Sequence, residues 1–331
     1  MTTRRSILGA VGGALGGAVF AAAGPAAAQL AAPYVPTPGR ARGLTLLVGA
    51  EGGSGADLWV RGFAPFLERH IKNVQVAVAN RPGEGGLAAL RELAASPTDG
   101  SVLAYAITPF LVARLVERHA TGLLDKLRLM GAVTEEPVAL VAAPGTELAV
   151  LRAQANEGRN DRPLGLPPPV SAAAILGPDL VHYMPMEQLN FPSASAARQA
   201  AASGNVAAAL VTVPEALVAM REGRISVLAV ACRTRHPQLP DVPTLREEGL
   251  PLDGALRRGI AVPVGIDPRP AEHIARALRA AAADPEFLAQ AEWRAALPRF
   301  RDEAEWGAMV VQDLVELKTR WETSPWQVVG G

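Results

Sequence analysis

The sequence predicts an α/β protein of two doubly wound lobes joined by two crossing strands. Three observations point there. Short apolar runs of strand length alternate with amphipathic stretches of helix length along most of the chain. Glycine-rich bends separate the first strands from the helices that follow them. Two stretches, near 134–138 and 257–263, fall where the chain would leave one lobe and later return to it. The length of 331 residues fits about two domains.

Residues 1–28 read as an export segment that stands outside the fold. Arg4 and Arg5 form a charged start, a Gly/Ala-rich apolar stretch follows, and Ala26-Ala27-Ala28 makes a small-residue cleavage site near Ala28. The Arg pair and the weak hydrophobicity point to the twin-arginine route. The alternative is a membrane anchor, for which the stretch is short and rich in Gly and Ala. Cleavage would place the protein in the periplasm. It removes two arginines and no acid, leaving 30 basic residues against 32 acidic ones.

Pro36, Pro38 and Gly39 mark a leading loop. Leu44 to Val48 is a continuous apolar run, as in a buried parallel strand. A glycine bend from Glu51 to Gly55 leads to a helix from Asp57 to about Ile71, with Trp59, Phe63, Phe66 and Leu67 at helical spacing. Asp57 stands at its start as an N-cap or first-turn acid. The pattern repeats as a strand from Val74 to Ala79, a turn from Asn80 to Gly86 and a helix from Leu87 to Ala95. A strand from Val102 to Ile107 and a helix from Pro109 to about Arg118 follow. Residues 127–143 hold two apolar runs.

A second block then alternates in the same way. It has a helix near 148–155, a Pro-rich turn at 167–169, a strand near Leu180–Met184, a helix near 194–203 and a strand at 206–211. A helix at 214–221 and a strand at 225–231 close it. The remaining chain shows one clear strand, Gly259 to Val264, and helices at 269–283 and around Trp306 to Trp321. Too few strands remain there for a third domain, so this part is expected to return to the first lobe. Lobe 1 is then 29–136 plus 258–331, and lobe 2 is 137–257. Such a hinged pair closes its cleft on a ligand.

Composition excludes several functions. Hydrophobic residues are 49% and charged ones 19%, too apolar for a disordered chain. Lys+Arg and Asp+Glu are 32 each, so the basic excess of a nucleic-acid binder is missing. Cys232 alone makes neither a disulfide nor a multi-cysteine metal site, and none of the five histidines pairs at ligand spacing. No metal and no cofactor is expected.

Several stretches carry a resemblance: "LTLLVGAEGGSGAD" (44–57), "NRPGEGG" (80–86), "PTDGSVL" (97–103), "GRISVLAVACRTRHPQLPDVPTLREEG" (223–249) and "RGIAVP" (258–263). With these in order, from Tyr34 to about Trp321, the chain resembles the Bug-type receptors of tripartite tricarboxylate transporters. The resemblance implies a type II periplasmic binding fold and capture of a small carboxylate. It also implies a membrane partner, either transporter subunits or a sensor kinase. A monomer is expected.

A carboxylate needs donors and a positive field. Glycine bends at helix starts supply both, through backbone N–H groups and the helix dipole. The first candidate is Gly53, Ser54, Gly55 and Ala56 ahead of Asp57; the second is Gly83, Gly85 and Gly86 ahead of Leu87. The resemblance implies that these turns, and Thr108 after the third strand, face the cleft, with Ser171 and Thr212 opposite them. Asp57 reads better as a cap than as an anion ligand, and Thr108 before Pro109 can equally be an N-cap. His182 and His236 read as surface or packing residues, and Arg257 and Arg258 as a solvated hinge edge.

The sequence also departs from the family. Gly49-Ala50-Glu51 puts an acid in the first turn, Ala207 and Val211 replace acids, and Leu166 to Ala173 and Asn190 to Ser193 are remodelled. A more apolar second-lobe wall is expected, suited to a carboxylate with an apolar or aromatic body. The enzymatic alternative is a serine hydrolase using Ser54, since Gly52-Gly53-Ser54-Gly55-Ala56 nearly fits G-x-S-x-G. No histidine has a recognisable triad setting. A dinucleotide fingerprint would need glycine where Leu58 stands.

Overall fold

Period-two apolar runs build a sheet, and helices of 3.6-residue period cover both its faces. The computed structural model describes residues 42–159 and 161–326. The predicted export segment lies outside the described residues. The chain runs β1 (Arg42–Val48), α1 (Gly55–His70), β2 (Val74–Asn80), α2 (Leu87–Ala94), β3 (Val102–Thr108) and α3 (Phe110–Glu117). It continues through β4 (Leu127–Ala142), α4 (Leu148–Asn156), β5 (Leu164–Leu166), α5 (Ala172–Tyr183), β6 (Gln188–Asn190) and α6 (Ala194–Ala202). Then come β7 (Ala208–Thr212), α7 (Val213–Arg221), β8 (Ser226–Val230) and β9 (Ala255–Pro263). The last elements are α8 (Pro268–Ala282), α9 (Pro285–Trp293), β10 (Leu297–Asp302) and α10 (Glu303–Thr323).

The strand order is β2-β1-β3-β9-β4-β7-β5-β6, with β10 and β8 also pairing with β4. β1 runs parallel to β2 and β3, and β5 parallel to β6 and β7. β9 and β4 are antiparallel to their neighbours, so the sheet is mixed where the alternation alone predicts a parallel one. The first half of β4 pairs with β9 and β10, and its second half with β7 and β8. One 16-residue strand therefore belongs to both halves of the sheet.

Each half has a core on both faces. Trp59, Phe63 and Leu67 of α1 and Ile274 and Leu278 of α8 pack on one face of the first half. Leu87, Leu115 and Trp306 pack on the other. Leu176 and Leu180 of α5 and Ala197 and Leu217 of α6 and α7 cover the two faces of the second half. Burial of such stripes stabilises by about 25 cal/mol per Å² of apolar surface, which anchors the connecting bends.

Three expectations are corrected. Leu180–Met184 is the end of α5, not a strand, because Leu176, Leu180 and Met184 keep a four-residue buried stripe. The two runs of 127–143 are one strand. Glu135-Glu136-Pro137 reads as a break, yet both acids are buried against cations brought from elsewhere. Finally, the C-terminal part contributes a second strand, β10. Its alternate residues Arg299 and Arg301 both reach Glu135, at 3.4 and 3.0 Å.

Candidate functional site

The carboxyl ends of β1, β2 and β3 lie at one sheet edge, where open α/β sheets bind ligands. In the first bend Ser54 is the N-cap of α1, its Oγ accepting the Asp57 N–H at 3.3 Å. Asp57 is thus the first-turn acid and not the cap. Its carboxylate is 2% exposed and accepts from Gly53 N–H at 2.8 Å, Asn80 Nδ2 at 2.9 Å and Arg61 Nε at 3.0 Å. Burial pushes this carboxyl up, but the donors Arg61, Gly53 and Asn80 outweigh it and hold it below the usual carboxylate range. Asn80 also donates to the Ala50 carbonyl at 3.0 Å. Asp57 therefore staples the bend to β2, and as an ionised carboxylate it offers an anion no donor.

The second bend takes positive φ at Gly83, Glu84, Gly85 and Gly86 in succession. A Cβ on Gly49 would lie 2.5 Å from the Gly86 Cα and carbonyl oxygen, so the two bends touch backbone to backbone. Among the described residues, the N–H groups of Gly55, Ala56, Glu84 and Gly85 have no acceptor. Glu84 pairs with Arg91 and Arg81 with Glu92. Glu51 is exposed.

A residue absent from the sequence reading lies against this bend. Arg114, on α3, packs so closely that a Cβ on Gly85 would meet its Nε at 2.9 Å. Its NH1 donates to Glu117 Oε1 at 2.8 Å, and its Nε is buried without an acceptor. No spacing rule links Arg114 to Gly85, because the contact exists only once α3 folds back on β3.

The other candidates are placed differently. Thr108 is fully buried, and its Oγ1 accepts the Trp306 indole N–H at 2.9 Å; Pro109, not Thr108, caps α3. Ser171 is the half-buried N-cap of α5, accepting from Ala174 N–H at 3.2 Å. Its neighbour Val170 is buried in the same cluster as Leu47, Leu87 and Trp306, so the Pro-rich loop sits against the first half of the sheet. Thr212 is buried and gives its N–H and O–H to Glu215, each at 2.8 Å. Ala207 and Val211 are core residues and line no wall. The structure thus brings the two glycine bends together and spends the hydroxyls of Thr108 and Thr212 inside the protein.

Arg257 and Arg258 are not a solvated edge. Arg258 is 16% exposed and donates to Glu136 at 2.7 Å and to the Tyr105 hydroxyl at 2.5 Å; Arg257 pairs with Glu135 at 3.4 Å. These pairs cross-link β4 and β9 where both halves of the sheet meet. His182 is exposed and His236 is buried. A groove of about 350 Å³ between α8 and β10 is lined by none of the candidate residues. Among the described residues, no cluster of His, Cys, Asp or Glu has metal-site geometry, and no helix is long and apolar enough to cross a membrane.

Residues 186–312, from the loop before β6 into α10, match the family described as the tripartite tricarboxylate transporter family receptor. The chain resembles that receptor family. No curated protein matches the sequence. A TctC solute binding protein from Polaromonas, solved without ligand, superposes with TM-score 0.74 at 20% identity, covering 84% of this chain and 97% of that one. MatC from Rhodopseudomonas palustris, with bound malate, gives TM-score 0.63 at 24% identity over 85% and 98%. A second R. palustris protein, with adipate, gives 0.69 at 19% over 85% and 97%. These neighbours show the periplasmic binding protein fold. The matched family is one of receptors, and a further neighbour of this fold is the periplasmic binding protein BugD, with TM-score 0.65 at 19% identity over 85% and 97%. Ser54 fits that reading, because its Oγ is taken up as a helix cap and, among the described residues, no histidine hydrogen-bonds to it. Both glycine bends precede the stretch matched by the receptor family.

Proposed function

We propose that this chain is an exported receptor that captures a small carboxylate between its two lobes and presents it to a transporter or signalling partner in the membrane. One observation carries the reading. Two glycine bends touch at one sheet edge, and four of their N–H groups have no acceptor among the described residues. Those donors stand at the starts of α1 and α2, whose dipoles favour negative charge. The malate and adipate held by proteins of similar fold support a carboxylate here. So does the cation of Arg114 beside the second bend.

In this reading Gly55, Ala56 and Gly85 supply the direct contacts, while Ser54 and Asp57 hold the first bend in shape. Ser171 and the apolar loop before it close over the ligand body. β4 and β9 are the hinge, and lobe 2 is the segment between them, about 137–257. A ligand that binds the closed form more tightly shifts the population toward it, and the partner reads that form. The export segment at 1–28 would deliver the protein to the periplasm, where a monomer suffices.

A thermal-shift screen over mono- and dicarboxylates, amino acids and aromatic acids tests the proposal. At least one carboxylate with an apolar or aromatic body is expected to raise the melting temperature. Glycine-to-alanine changes at 55 and 85 should abolish that rise. A panel without any stabilising carboxylate, or a bound ligand located away from Ser54 and Gly85, would overturn it.

A further inference from the structure

We infer that Arg114 makes the second glycine bend selective for anions, and that Glu117 and Trp326 hold it there. This deepens the carboxylate reading and rests on it. The charges around the two bends pair almost one to one: Asp57 with Arg61, Glu84 with Arg91, and Arg81 with Glu92. α3 breaks that balance. Arg114 and Arg118 share one acid, Glu117, at 2.8 and 3.4 Å. That leaves one positive charge beside the second bend, with the exposed Glu51 of the first bend standing outside these pairs.

The geometry is fixed at every link. Arg114 is 11% exposed and lies on the Phe110 ring at 5.4 Å. Only glycine at position 85 leaves room for its Nε and Cδ, which a Cβ would approach to 2.9 and 3.0 Å. Glu117 is 5% exposed, and its second oxygen accepts the Trp326 indole N–H at 3.2 Å. Trp326 in turn packs edge-on against Trp321 of α10. A chain of contacts thus runs from the C-terminal segment through Glu117 and Arg114 to Gly85. With little water around the Arg114 guanidinium, its field at the Gly85 N–H is weakly screened. Arg114 is a specificity residue in this scheme; Glu117 and Trp326 are positioning residues that act through it.

The test compares each acid with its neutral amide, because a purely structural role for Arg114 would weaken both equally. Calorimetric titrations use malate, adipate and phenylacetate beside malamide, adipamide and phenylacetamide, with the full chain and its Arg114→Gln, Arg114→Lys and Trp326→Phe variants. The wild type should prefer at least one acid over its amide by about tenfold or more. Arg114→Gln should erase that preference, Arg114→Lys should restore part of it, and Trp326→Phe should leave an intermediate value. An Arg114→Gln protein that keeps the wild-type ratio overturns this inference and leaves the carboxylate site standing. If Arg114→Gln does not fold, an unchanged ratio in Trp326→Phe overturns it. A wild type that binds none of the acids, or prefers the amides, overturns both readings together.

Discussion

Replacing Asp57 by alanine tests whether the first bend depends on a buried carboxylate. Asp57 accepts from Gly53, Asn80 and Arg61 at 2.8–3.0 Å. A hydrogen bond to a charged group contributes about 1.5–3 kcal/mol. The three losses do not add fully. Arg61 is half exposed and regains water, Gly53 is exposed, and Asn80 keeps its bond to Ala50. A net cost of about 3 kcal/mol remains, at the lower end for breaking a buried pair. Asp57→Asn keeps the shape and one acceptor and should cost about 2 kcal/mol. The sign with pH follows from the lowered carboxyl. Its stabilisation is present above the unfolded value of about 4 and is lost as pH falls through the lower folded value. Urea unfolding at pH 7 and at about pH 3 measures both effects. The wild type should exceed Asp57→Ala by about 3 kcal/mol at pH 7, with a smaller gap in acid. A gap under about 1 kcal/mol at pH 7, or one that does not shrink in acid, would refute the reasoning.

Three further outcomes follow from the same geometry. Gly49→Ala forces a Cβ to within 2.5 Å of the Gly86 backbone, so it should destabilise by about 2 kcal/mol or more in urea and remove any ligand-induced thermal shift. Burial pushes the Asp313 carboxyl up to about 6, so the folded state binds its proton more tightly than the unfolded chain. The resulting cost is present above pH 6 and fades toward pH 4; Asp313→Asn should therefore stabilise by roughly 2 kcal/mol at pH 8 and by little at pH 4, read from paired urea curves. Burial likewise pushes the Cys232 thiol up to about 11, so it should react with a disulfide reagent at pH 8 at least about tenfold more slowly than free cysteine, followed by absorbance.

Glycine bends and apolar periodicity were legible in the sequence because both are local. Gly53 to Asp57 and Gly83 to Gly86 mark strand-to-helix turns whatever surrounds them, and most predicted elements lie within a few residues of the observed ones. The errors fall where a distant partner decides. Glu135 and Glu136 look like the end of a strand until Arg258 arrives from 122 residues away and Arg301 from 166. Thr108 looks like a cleft hydroxyl until Trp306, 198 residues on, takes it into the core.

By itself, the sequence determined the alternation of strands and helices, the two glycine bends and the resemblance to the tricarboxylate transporter receptors. Only the tertiary structure decided which polar groups remain for a ligand. It joined Gly49 to Gly86, set Arg114 beside Gly85 and tied Trp326 to Glu117 across 209 residues. The physical reason is range: backbone preference acts over a few neighbours in the chain, whereas a charge or a hydrogen bond acts over about 3 Å of space, wherever its partner lies in the sequence.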